Sequence, residues 1–72
     1  MKDWKMIYTN SILSTAAMVA GLLNEKEVPA KLLNRKDSAY VFLGEAEVYV
    51  PNEFVSIAKE ILSTIELDKL DV

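Results

Sequence analysis

The sequence predicts a small α+β domain in which helices pack on a β-sheet. Three observations support this prediction. The 72-residue chain is 51% hydrophobic and 26% charged, which is typical of a folded globular domain. Two stretches, 12–25 and 52–65, repeat apolar residues at the spacing of an amphipathic helix. Three shorter stretches are rich in β-favouring residues or alternate apolar and polar side chains, as strands do.

The first part of the chain predicts a strand followed by a helix. Residues 4–9 are rich in aromatic and β-favouring side chains, so we expect strand one there. Asn10 and Ser11 offer side-chain oxygens that can cap a helix start. The helix ends before Val28-Pro29, because a residue preceding proline is displaced from the α region. Its predicted apolar stripe is Ile12, Leu13, Ala16, Val19, Ala20, Leu22 and Leu23.

The middle of the chain predicts two further strands. Residues 30–34 form strand two, and the polar cluster 34–38 is typical of a turn. Residues 39–43 are apolar, and they either lengthen strand two beyond a bulge or form a separate segment. Residues 45–50 alternate cleanly, which predicts strand three. Its apolar side carries Ala46, Val48 and Val50, and its other side carries Glu45, Glu47 and Tyr49.

The last part of the chain predicts a second helix. Pro51 stops the strand, Asn52 is the expected N-cap, and Glu53 suits the positive end of the helix dipole. The tail 66–72 either frays or adds a short strand. The apolar stripe of this helix is Phe54, Ile57, Ala58, Ile61, Leu62 and Ile65.

The order of elements is β-α-β-β-α, within a single domain spanning residues 1–72. A right-handed crossover places the first helix on one face of the sheet, and the second helix can return beside it. The prediction is therefore a ferredoxin-like plan, with two helices on one face of a three-stranded sheet.

The opposite face of this sheet is the main lead to function. The face with Ala46, Val48 and Val50 should meet the helices, which leaves further apolar side chains pointing away. A contiguous exposed apolar patch commonly marks an interface. Three outcomes are open: residues 39–43 cover the face, the chain self-associates through the face or a sheet edge, or another partner docks there. The candidate interface residues are Trp4, Ile7, Leu33, Tyr40 and Tyr49.

The composition argues against catalysis and metal binding. The chain has no His and no Cys, which removes the common zinc ligands, disulfides and the usual base for a nucleophilic serine. Glu45 and Glu47 fit a solvated strand face better than an acid–base pair. Gly21 lies inside the first helix, where we expect a close approach to the sheet. We therefore expect a non-enzymatic protein without a cofactor.

Charge and hydropathy narrow the class of partner. The net charge of −3 disfavours nucleic-acid binding, which depends on clustered Lys and Arg. No apolar run is long enough to span a membrane, and the first residues do not resemble a secretory signal. We therefore expect a cytoplasmic protein whose partner is protein, with a small-molecule ligand as a further option.

Three segments carry a resemblance to a known family. They are the opening W-K-M-I-Y-T of residues 4–9, Gly21-Leu22-Leu23 before Val28-Pro29, and the strand-to-helix junction at residues 48–51. On these the chain resembles short bacterial domains grouped as prokaryotic signal-transducing proteins, from Trp4 to about Leu62. The resemblance implies the ferredoxin-like plan of the PII-type regulators, and it transfers no site residues.

These expectations combine into two hypotheses on function. The first is a non-enzymatic regulatory or protein-interaction module that works as a homodimer, or on a protein partner, through the sheet. The alternative is a PII-like sensor that binds a small molecule between subunits.

Overall fold

The computed structural model describes residues 3–34 and 46–70, with side chains as far as residue 65. The strands are β1 (Trp4–Asn10), β2 (Lys31–Asn34) and β3 (Ala46–Pro51), and the α-helices are α1 (Leu13–Glu25) and α2 (Val55–Leu70). A 3₁₀ turn, Asn52–Phe54, joins β3 to α2.

The strands form one sheet in the order β1-β3-β2. β3 is central and runs antiparallel to both neighbours, so β1 and β2 are parallel to each other without touching. This confirms the predicted α+β fold with the order β-α-β-β-α, in a ferredoxin-like arrangement.

The hydrophobic core lies between one face of the sheet and the two helices. Ala46, Val48 and Val50 of β3 are fully buried there, as their alternation along the strand predicted. The helices contribute buried residues to the same cluster, which are Ala16, Val19, Ala20 and Leu23 from α1 and Ala58 and Leu62 from α2. We call this side of the sheet the helix face.

A β-bulge interrupts the alternation of β1 at Ile7. Met6 pairs with Tyr49 and Tyr8 pairs with the adjacent Val48, so Ile7 is an extra residue without a partner on β3. Both Ile7 and Tyr8 pack against the core as a result. A bulge of this kind leaves two successive residues opposite one. It therefore lets β1 place aromatic side chains on both sides of the sheet.

The start of α1 differs from the predicted capping. Ile12 occupies the N-cap position and its side chain makes no capping bond, although Asn10 and Ser11 were the expected caps. The Asn10 side chain bonds instead to the residue just before the helix: its Oδ1 accepts a hydrogen bond of 2.8 Å from the Ile12 backbone N–H. Its Nδ2 donates to the Tyr8 hydroxyl oxygen at 2.9 Å. Asn10 therefore shapes the turn between β1 and α1 rather than capping the helix.

The end of α1 is a Schellman motif built on a glutamate. The Val28 N–H donates to the Leu23 carbonyl at 2.9 Å, and the Glu27 N–H donates to the Asn24 carbonyl at 3.0 Å. Glu27 has φ of 67°, a left-handed conformation in which glycine is the usual residue. Val28 and Leu23 are both buried, which supplies the hydrophobic contact that accompanies this motif.

Several helical residues are more exposed than their spacing predicted. At the start of α1, Ile12 is 57% exposed and Leu13 is 41% exposed. Ile57 on α2 is 50% exposed. Gly21 also faces solvent, and a Cβ added there would meet no atom within 4 Å. The expectation that Gly21 permits a close approach to the sheet was therefore wrong.

The junction between β3 and α2 also differs in detail. β3 includes Pro51, and Asn52 begins the 3₁₀ turn instead of capping an α-helix. The Asn52 backbone N–H donates to the Asp3 carbonyl at 3.0 Å, which ties this junction to the start of β1. Glu53 lies in this 3₁₀ turn and not in the first turn of α2, which contains no acidic residue, and residues 66–70 continue α2 instead of forming a strand.

Candidate interaction face

The side of the sheet opposite the helices forms the candidate site, and we call it the second face. In β3 the side chains of Glu47, Tyr49 and Pro51 alternate with the buried residues of the helix face. Within the described ranges, both helices contribute their buried residues to the other side of the sheet. The cross-strand register assigns to the second face Trp4, Met6 and Thr9 from β1, Lys31 and Leu33 from β2, and Glu47, Tyr49 and Pro51 from β3.

Trp4 and Lys31 meet across the central strand. Trp4 pairs with Pro51 and Lys31 pairs with Tyr49, so the two side chains start from opposite outer strands. The Lys31 Nζ lies 4.7 Å from the centroid of the Trp4 ring, within the range of a cation–π interaction. This contact joins side chains of the two outer strands, β1 and β2, at one end of the second face.

Tyr49 occupies the middle of the second face. Its neighbours in the same cross-strand row are Met6 on β1 and Lys31 on β2. The Tyr49 hydroxyl donates a hydrogen bond of 3.0 Å to Oε1 of Glu47, two residues earlier on the same strand. The ring is half-buried, and the polar tip is satisfied, which is a common state for tyrosine at a protein surface that binds.

The next cross-strand row combines Thr9, Glu47 and Leu33. Thr9 Oγ1 donates to the Ala46 carbonyl at 3.0 Å, which adds a side-chain bond to the β1–β3 pairing. Leu33 is half-buried on the short strand β2. Rows of this kind are the units of side-chain contact on a sheet surface.

The structure brings together three of the five predicted interface residues. Trp4, Leu33 and Tyr49 share the second face, one on each strand. Ile7 lies apart from them, because the bulge directs it against the core on the helix face. Tyr40 and the whole apolar segment 39–43, which was predicted either to cover this face or to leave it open, lie outside the described residues.

Sequence reasoning did not single out two members of the second face. Met6 is 43% exposed beside Tyr49, and Lys31 covers the Trp4 ring. The alternation of strand two offered a usable signal for Lys31. Because Lys31 and Leu32 point to opposite faces of the sheet, Lys31 shares a face with Leu33.

Among the described residues, the charged members of the second face are Lys31 on β2 and Glu47 on β3, which lie in neighbouring cross-strand rows. Within residues 3–34 and 46–70 there is no group of three or more acidic residues placed to hold a metal ion. The described part of the second face presents aromatic, apolar and polar side chains.

No helix among the described residues combines the length and apolar character that crossing a membrane requires.

The fold and the second face define a class of protein, a small α+β domain of ferredoxin-like arrangement with an aromatic sheet surface. A family model described as "Putative prokaryotic signal transducing protein" matches residues 4–66. The chain belongs to this family, as the three sequence segments indicated. No curated protein and no solved structure matches the chain at a significant level.

Proposed function

We propose that the chain is a non-enzymatic module of bacterial signal transduction that acts as a homodimer, with the second faces of two copies packed together. Family membership supports the signalling role. The observation that carries the mode of action is the cluster of Trp4, Leu33 and Tyr49, gathered from three different strands onto one face.

The size and composition of the chain support a role for self-association. A 72-residue domain buries a limited share of its surface, and such domains usually gain support from disulfides, metals or oligomerisation. The sequence contains neither Cys nor His, so oligomerisation is the support that remains. Isologous dimers are the commonest oligomers, and they place the same patch of each subunit against itself.

The charge of the second face favours a second copy as the partner. In an isologous interface any net charge of the patch is brought against the same charge, which opposes association. Among the described residues, the second face carries one charge of each sign, Lys31 and Glu47. The described part of the face therefore brings no excess of like charge between two copies.

The test is the oligomeric state of the full chain as a function of concentration. Light scattering coupled to size-exclusion chromatography, or sedimentation equilibrium, should show a dimer whose population rises between about 1 µM and about 1 mM. A chain that stays monomeric up to about 1 mM would overturn the proposal.

Two variants localise the interface. Tyr49→Lys and Met6→Lys each add a positive charge to the second face, and both should shift the equilibrium towards monomer. Met6 is already 43% exposed, so its replacement tests the face with little risk to the fold. Met18→Lys is the matched control, because Met18 is 74% exposed on α1 and lies away from the sheet. A Met18→Lys chain that dissociates as readily as Met6→Lys would contradict the assignment of the face.

A further inference from the structure

We infer that the Lys31 side chain is a strap across the second face, and that it must leave the Trp4 ring before two copies pack together. The inference rests on the proposed function and describes how that same face is regulated. It follows from the contact between the Lys31 Nζ and the Trp4 ring, which joins the two outer strands.

The strap crosses the central strand. Lys31 belongs to β2 and Trp4 belongs to β1, and β3 lies between them. Neighbouring strands are about 4.8 Å apart, so about 10 Å separates the two outer backbones. The Lys31 Nζ nevertheless lies 4.7 Å from the centroid of the Trp4 ring. The contact therefore bridges β3 at the end of the second face that contains Tyr49 and Pro51.

The ring surface beneath the ammonium cannot serve two partners at once. While the Lys31 Nζ lies on that surface, no side chain of a second copy can reach it. Trp4 is half-buried, and tryptophan is among the residues that contribute most to binding energy at interfaces. Packing two second faces through Trp4 therefore requires Lys31 to move off the ring. This requirement is steric, so it does not depend on the charges around the face.

The strap is held weakly enough to open. Lys31 is exposed, and its ammonium sits on a flexible four-carbon stem that can turn outward into water from the outer strand β2. A cation–π contact at an exposed site favours the closed arrangement by about two- to fivefold. A dimer must open two straps, so together they weaken association by about five- to thirtyfold.

Nuclear magnetic resonance on the wild-type chain observes the strap directly. While the strap is closed, the ring current of Trp4 shifts the ε-methylene protons of Lys31 upfield. This shift should disappear as the dimer population rises with concentration. A shift that persists in the dimer would overturn the inference, because Lys31 would then remain on the ring within the interface.

A double-mutant cycle on the dissociation constant of the dimer measures the effect of the strap. Lys31→Met removes the ammonium and keeps an unbranched side chain, and Trp4→Leu removes the ring. Lys31→Met should tighten the dimer about five- to thirtyfold more when Trp4 is present than in the Trp4→Leu chain. The greater apolarity of methionine acts in both chains, so the cycle cancels it. Sedimentation equilibrium gives the four constants.

Controls separate the strap from general effects of the substitutions. Lys5→Met makes the same change on the helix face, where Lys5 pairs with Val50. It should leave the dissociation constant within about twofold of wild type. Circular dichroism on every variant establishes that the monomers are folded.

The outcomes distinguish this inference from the proposed function. If Lys31→Met has the same effect with and without Trp4, the inference fails while self-association stands. If wild type is monomeric but Lys31→Met dimerises, the strap is supported and the wild-type homodimer is not. If wild type and Lys31→Met both stay monomeric up to about 1 mM, the inference and the proposed function fail together.

Discussion

The side chain of Asn24 forms hydrogen bonds with both backbone polar groups of Ala30. The Ala30 N–H donates to Asn24 Oδ1 at 3.1 Å, and Asn24 Nδ2 donates to the Ala30 carbonyl at 3.3 Å. The same Nδ2 also donates to the Ala20 carbonyl at 3.0 Å within α1. Asn24 thereby holds the segment before β2 against the last turn of the helix.

Replacing Asn24 with alanine should destabilise the fold. Each lost hydrogen bond contributes about 0.5–1.5 kcal/mol, and the better helix propensity of alanine returns about 0.5 kcal/mol. We expect a net loss of at least about 1 kcal/mol in the free energy of unfolding, measured by urea denaturation. Glu25→Ala is the control, because Glu25 is its exposed neighbour and should change the stability little. Equal stability of the Asn24→Ala and wild-type chains would show that these bonds do not contribute.

Glycine at position 27 should stabilise the protein. Glu27 is held at φ of 67°, where a Cβ is unfavourable, so Glu27→Gly should raise the free energy of unfolding by about 0.5–1 kcal/mol. Glu27→Ala separates the backbone from the charge, because it removes the carboxylate and keeps the Cβ. It should give no such gain, and a gain as large as that of glycine would assign the effect to the lost charge.

Alanine at position 21 should also stabilise the protein. Gly21 lies inside α1, faces solvent, and leaves room for a Cβ, so Gly21→Ala gains helix propensity without a clash. We expect about 1 kcal/mol, seen as a higher midpoint in thermal or urea unfolding. Ala17→Gly is the reciprocal change at another exposed position of the same helix, and it should lower stability by a similar amount.

Trp4 and Lys31 should show an energetic coupling. A double-mutant cycle with Trp4→Leu and Lys31→Met measures it, because each change removes one partner and keeps an apolar side chain. We expect about 0.5–1 kcal/mol, as for other cation–π pairs at partly exposed sites. A parallel cycle with Lys5→Met provides the baseline, since Lys5 lies on the helix face beside Val50. Coupling no larger than in that second cycle would mean that the contact adds nothing to stability.

The sequence predicted the class of fold and one side of the sheet well. Regular alternation made β3 recognisable, and it assigned Val48 to the core and Tyr49 to the second face. Helical spacing located α1 and α2, because an apolar stripe must be buried somewhere. The family resemblance was carried by segments that coincide with these elements, and the match over residues 4–66 confirms it.

The remaining details depend on features that have no short sequence signature. The bulge at Ile7 changes the side of the sheet on which Tyr8 lies, and residues 4–9 are apolar enough to accept either register. Glu27 adopts a conformation that sequence rules assign to glycine or asparagine. Asn24 gains its role only through the path of the chain towards β2, which local patterns do not encode.

The central position of β3 has a consequence for how the protein acquires its structure during synthesis. β1 and β2 precede β3 in the chain, yet neither pairs with the other, and both form their sheet hydrogen bonds to β3. A nascent chain that has not yet emerged as far as Pro51 therefore has no complete sheet on which α1 can fold. The ordering of the domain must therefore wait for β3, and until then the apolar stripe of α1 has no sheet to pack against.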